Sequence, residues 1–227
     1  MPEKKSSFEI KKRVGSALAM PDFEDALGEL EIPPERVISP LLSFLYDTNE
    51  LTRWRAIRAV GIVVAGLGEA APEAARNIMR RLIWSLNDES GGIGWGAPEA
   101  MGEIMARNKQ LALEYYRILL SYIDPNGNPL EHDLLERGVL WGIGRLAQVR
   151  PELVRDSIDL LLEQCASGDA GKRALALWVL TFLEPEPDRV RRCVEPLLGE
   201  QFETLLYQDG SVVTRRTADM AARLLAG

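Results

Sequence analysis

Tryptophan, arginine and glutamate fall at four-residue intervals in three stretches of this chain: Trp54 and Arg58; Trp95, Glu99 and Glu103; Arg137, Trp141 and Arg145. Residues four apart share one face of a helix, so each set can form a patch. Trp and Arg are the types most enriched where proteins grip their partners. Interleaved Arg and Glu can also pair with one another, at about 0–1 kcal/mol for each exposed pair. The pattern therefore reads either as a binding stripe or as a ladder of ion pairs with tryptophan spacers. Ahead of the second set runs "NDESGGIGWGAPEAMGEI" (87–104), with Asp88 and Glu89 at its start and four glycines before Pro98. A corner between antiparallel helices needs only about two to five residues, and each glycine costs backbone entropy on ordering. The stretch is expected to be a loop with Trp95 as anchor and Glu99 turned toward a ligand or partner. The competing expectation is that the glycines let it pack closely on the next pair of helices.

Other chemistries fail on residue type or spacing. A single histidine, His132, cannot build a Ser/His/Asp or Cys/His set. With two cysteines distant in sequence, Cys165 and Cys193, it cannot complete a tetrahedral metal site either, so no metal and no cofactor is expected. "DPNGNPLEHDLLE" begins like a calcium loop at Asp124, Asn126 and Asn128. It then places Pro129 where the glycine belongs and Leu135 where the bidentate glutamate belongs. The glycine run lacks the Lys-Ser/Thr of a phosphate-binding loop. A formal net charge of −7 argues against a surface built to neutralise phosphates, so nucleic acid is not an expected partner. No apolar run approaches the roughly 18 residues of a membrane span. "KKRVGSALAM" is too short in its apolar part for a secretory signal, and the chain reads as cytoplasmic.

The elements that hold these residues are helical throughout. Apolar positions recur at three- and four-residue spacing, and "EIPPE", "LGEAAPE", "DPNGNP", "VRPE" and "EPEPD" mark stops and starts. "WRAIRAVG", "WGAPEAMG", "RGVLWGIG", "RALALWVL" and "RTADMAAR" align at a period of about 40 residues, starting near 54, 95, 137, 173 and 216. Each is small or apolar at its third, sixth and seventh positions. An amphipathic helix precedes each block, and two of these carry an interior proline, Pro40 and Pro196, where a kink is expected. Asp209-Gly210, between apolar runs, predicts a two-residue hairpin turn.

Helix pairs at this spacing, with a proline-kinked first helix and a small-residue second, resemble the HEAT-repeat α-solenoids. More narrowly they resemble the bacterial phycobilin-lyase-like HEAT-like repeat proteins. The resemblance implies an all-α, right-handed α-solenoid of about five helical hairpins over residues 34–227; the small β-hairpin expected at Asp209-Gly210 is a departure from it in the last repeat. Residues 1–33 would be capping helices, and the whole would be one structural domain. It also implies second helices on the concave side and a binding or scaffolding role. HEAT-like deoxyhypusine hydroxylases hold iron through His-Glu pairs, which one histidine cannot supply. HEAT-like DNA glycosylases need a basic groove, against which the acidic balance counts. The resulting expectation is a non-enzymatic adaptor for a protein partner on the concave face. The alternative is a cofactor- or small-molecule-handling enzyme of the lyase type using the same residues, which a closed pocket lined by Trp95, Glu99 and Arg137 would favour.

Overall fold

The structure, a computed structural model, describes residues 6–87, 94–208 and 210–226. The chain divides into two compact units, Met1–Asn108 and Lys109–Gly227.

In the first unit α1 (Ser7–Ala19) opens with a capping box: Ser6 Oγ accepts from the Glu9 N–H, and the Ser6 N–H donates to the Glu9 carboxylate. The short α2 (Phe23–Gly28) follows. Two helix pairs come next, α3 (Pro34–Phe44) with α4 (Glu50–Ala70) and α5 (Pro72–Leu86) with α6 (Ala97–Arg107). Proline begins α3 and α5, where its missing N–H has no partner to lose. Asn49 caps α4 by accepting the Thr52 N–H at 2.9 Å. Helix α3 continues through Pro40.

The second helices α4 and α6 pack closely along their length because one of them carries a glycine at the contact. A Cβ on Gly61 would stand 2.8 Å from the Glu103 Cβ. Burial is correspondingly one-sided in α5, where Ala75, Met79, Leu82 and Leu86 form the buried stripe. In α6 it is nearly complete, running from Ala97 through Ala106 apart from Glu99.

The second unit contains α7 (Lys109–Ser121), α8 (Asp133–Ala147), α9 (Pro151–Val154), α10 (Ile158–Cys165), α11 (Ala170–Leu183), α12 (Pro187–Val194) and α13 (Thr217–Ala226). The loop after α7 is a capped turn: Asp124 accepts N–H groups from Asn126 and Gly127, each at 2.9 Å. His132 is the N-cap of α8, its Nδ1 accepting the Leu134 N–H at 3.3 Å. Two expected helices are shorter than their periodicity suggested. "ELVRDSIDLLLEQC" breaks at a 3-10 turn, Arg155–Ser157, where the buried Ser157 hydroxyl donates to the Val154 carbonyl. Pro196 lies beyond the end of α12, in the 3-10 turn Glu195–Gly199, because proline disfavours helix in the residue before it.

Trp178 of α11 fills the contact with α8. Its ring stacks on Trp141 at 6.3 Å and meets Phe182 edge-on at 5.3 Å. Gly144 admits it: a Cβ there would lie 2.2 Å from the ring. Strands β1 (Glu203–Gln208) and β2 (Ser211–Arg216) pair antiparallel, from Glu203↔Arg216 to Gln208↔Ser211. The turn between them has Gly210 at φ +83°, as the Asp-Gly dipeptide led us to expect. Among the described residues no helix is long and apolar enough to cross a membrane.

Candidate partner-binding site at the Trp95 turn

The second helices place the residues of the expected stripe very unequally. Trp54 is 6% exposed and Trp141 is 2% exposed, so both serve the core; Trp141 belongs to the stack with Trp178. Glu103 is 2% exposed and accepts from the Arg107 guanidinium at 3.1 Å. Arg58 pairs with Glu24 of α2, and the cation acting on Glu99 is Arg53, one turn earlier on α4. Asp88 and Glu89 lie outside the described residues.

In the second unit Arg137 donates to both oxygens of Asp169, its Nε at 2.9 Å. Asp169 is at once the N-cap of α11, accepting the Lys172 N–H at 2.8 Å. The Arg137 guanidinium holds the Asp169 carboxyl below its ordinary range. Arg173, at the matching position of the next block, donates to both carboxylate oxygens of Glu200, its Nε at 3.0 Å. Arg137 thus ties α8 to the start of α11, and Arg173 ties α11 to the residue that follows the 3-10 turn after α12. Arg145 donates to Gln148 at 3.0 Å on its own helix end.

Glu99 is the exception in chemistry. It stands in the first turn of α6, half-buried as a residue, but its Oε2 has essentially no accessible surface and accepts no hydrogen bond. Burial pushes its carboxyl up to about 7, against the opposing pull of its own backbone N–H and of Arg53. The Oε2 end of the group is thus turned toward the protein interior.

Trp95 is different. It sits half-buried in the turn that enters α6, between two glycines held by close contacts. A Cβ on Gly94 would stand 2.8 Å from the Ser85 carbonyl oxygen. Gly96 has φ +74°, and a Cβ there would meet Leu45 at 3.1 Å. For these two positions the glycines do allow close packing on the neighbouring helices; most of the loop before them lies outside the described residues.

Trp95 forms one wall of a cleft of about 330 Å³ between the C-terminal ends of α3 and α5. Leu42, Leu45 and Leu82 supply apolar surface, and Tyr46, 50% exposed, stands at its rim. Arg81 enters from α5 and donates to the Ser39 hydroxyl at 3.3 Å. Trp84, one turn beyond Arg81, is 72% exposed. Glu99 is not among the lining residues.

Tyr46, Arg81 and Trp84 were not picked out from sequence, although one signal was there. On α5 the buried stripe is Ala75, Met79, Leu82 and Leu86, and Trp84 falls off it, on the side of Asn77, Arg80 and Arg81. A tryptophan on the polar face of an amphipathic helix contributes nothing to the core it turns away from.

No protein-family model matches the chain. An uncharacterized protein of Archaeoglobus fulgidus is 30% identical over 179 residues, which is 78% of this chain and 88% of that protein. Among solved structures, a designed armadillo repeat protein is similar at a TM-score of 0.57 and 14% identity, over 100% of this chain and 94% of its own. A second designed armadillo repeat protein, in complex with the peptide (KR)4, is similar at a TM-score of 0.51 and 16% identity, over 96% of this chain and 99% of its own. At such identities these two likenesses concern fold alone. The helix pairs thus have the armadillo/HEAT-like helical-repeat fold, with a small β-hairpin added near the C-terminus, and the chain belongs to one family with the Archaeoglobus fulgidus protein.

Proposed function

We propose that the chain is a protein-interaction scaffold, and that a protein partner docks at the cleft beside the Trp95 turn. The observation that carries this reading is the side-chain set there. Tyr46, 50% exposed, and the half-buried Trp95 line a cleft with leucines in its floor and Arg81 in its wall, and Trp84, 72% exposed, lies one turn beyond that arginine. Trp, Tyr and Arg are the residues that dominate binding energy at interfaces, and exposed apolar surface rimmed by polar groups is typical of such sites. The peptide held by the similar designed armadillo protein supports the class of partner. The enzyme alternative asked for a pocket that includes Glu99, and the cleft at Trp95 does not include it.

Replacing Tyr46 and Trp84 together by alanine removes exposed rings and should leave the melting temperature within a few degrees of the parent. In an affinity capture from the native host, the parent should retain a defined protein that the double variant loses. A partner held equally by both proteins would place the binding surface elsewhere.

A further inference from the structure

We infer that the segment which fills the Trp95 cleft is acidic: an apolar anchor side chain flanked by aspartate or glutamate. This inference rests on the proposed docking role of the cleft and specifies its occupant.

The chemistry of the walls selects the partner. Arg81 is the cation in the wall; among the described residues its guanidinium donates to Ser39 Oγ at 3.3 Å, a long bond that engages a single N–H of a group that carries five. The guanidinium fork matches a carboxylate better than any neutral acceptor. On the same helix Arg76 and Arg80 pair with Glu73, so Arg81 is the cation that addresses the cleft. A basic peptide such as the (KR)4 of the designed armadillo complex would meet the wrong sign here.

Two serines in the cleft select further. Ser43 and Ser85 each donate their hydroxyl proton to a carbonyl of their own helix, at 2.7 Å to Pro40 and to Leu82. Their oxygens are thereby left as acceptors, suited to peptide N–H groups of an extended segment. A cleft of about 330 Å³ over Leu42, Leu45 and Leu82 has room for one or two apolar side chains. The complementary ligand therefore has a carboxylate for Arg81, backbone N–H groups for the serines and an apolar side chain for the floor.

The test is selection of displayed random dodecapeptides on the full-length parent protein. The strongest binders are then synthesised and titrated against the parent, Arg81→Glu and Tyr46→Ala, with circular dichroism confirming that both variants fold. The expected result is peptides with an aliphatic or aromatic residue next to Asp or Glu. Their affinity should fall about tenfold or more in each variant and weaken as salt is raised. Peptides without acidic residues, indifferent to Arg81→Glu yet lost in Tyr46→Ala, would overturn the acidic partner while keeping the cleft as a docking site. No enrichment, or peptides indifferent to both substitutions, would overturn the acidic partner and the cleft together.

Discussion

Gly144→Val is expected to destabilise the protein by about 3 kcal/mol, near the upper end for forced overpacking of a core. The reason is a contact between consecutive second helices. Even the first added carbon would fall 2.2 Å from the Trp178 ring and 2.6 Å from a second ring atom. Trp178 is 3% exposed and held between Trp141 and Phe182, so it has nowhere to retreat. Valine adds two further carbons and restricted χ1 freedom in a helix. The control is Gly66→Ala on α4, where nothing lies within 4 Å of the added carbon. There alanine should stabilise by about 0.5–1 kcal/mol through helix propensity alone. Urea unfolding of the two variants and the parent checks both signs. Equal small effects at the two glycines would show that α8 and α11 are not in the contact described.

The second large effect is electrostatic. Folding raises the Glu99 carboxyl from its ordinary 4.5 to about 7, so the folded protein holds that proton more tightly than the unfolded chain. Below the unfolded value both states are protonated and nothing is lost. Between that value and about 7 only the unfolded state ionises, and stability falls as pH rises. Above that window both are ionised and the full penalty stands, about 2–3 kcal/mol once the partial exposure of the residue is allowed for. Glu99→Gln keeps the shape and removes the titration. It should therefore match the parent at pH ~4 and exceed it by about 2–3 kcal/mol at pH ~8. Asp169, held below its ordinary range by Arg137, acts with the opposite sign: its contribution is present at neutral pH and is lost on acidification. Comparing variant with parent at each pH cancels Asp169 and isolates Glu99. A constant difference across the range would contradict the inward placement of the carboxyl.

Much of the fold was legible because its signals are local. Pro34 and Pro72 at helix starts, the Asp209-Gly210 turn and the three- and four-residue spacing of apolar positions each act within one turn of chain. The recurrence of "WRAIRAVG", "WGAPEAMG" and "RGVLWGIG" marked the second helices, and their shared final glycine is where Gly61 and Gly144 let a neighbouring helix approach.

The site was harder to read. A helix packed on several sides, such as α6 or α8, has little exposed face, so four-residue spacing within it cannot distinguish Trp141 in a core stack from a tryptophan offered to a partner. Glu103 misled for the same reason, since its charge suggests a surface that Gly61 and Arg107 in fact cover. The ladder of arginines exists in the second unit, but its acids are Asp169 and Glu200 at the ends of loops, a pairing that no helical spacing encodes. Trp84 was readable, because on an amphipathic helix the polar side is known.

The central claim, that partners dock where Tyr46, Arg81 and Trp95 line the cleft, with Trp84 one turn beyond, is tested most directly by photo-crosslinking in the native host. A benzophenone amino acid replaces Trp84 in one protein and the exposed Glu69 of α4, outside the cleft lining, in another. The account predicts a discrete protein adduct from position 84 that position 69 does not give. Addition of an Arg81→Glu change should weaken that adduct. The same adducts from both positions, or none from position 84 while position 69 captures a protein, would contradict it.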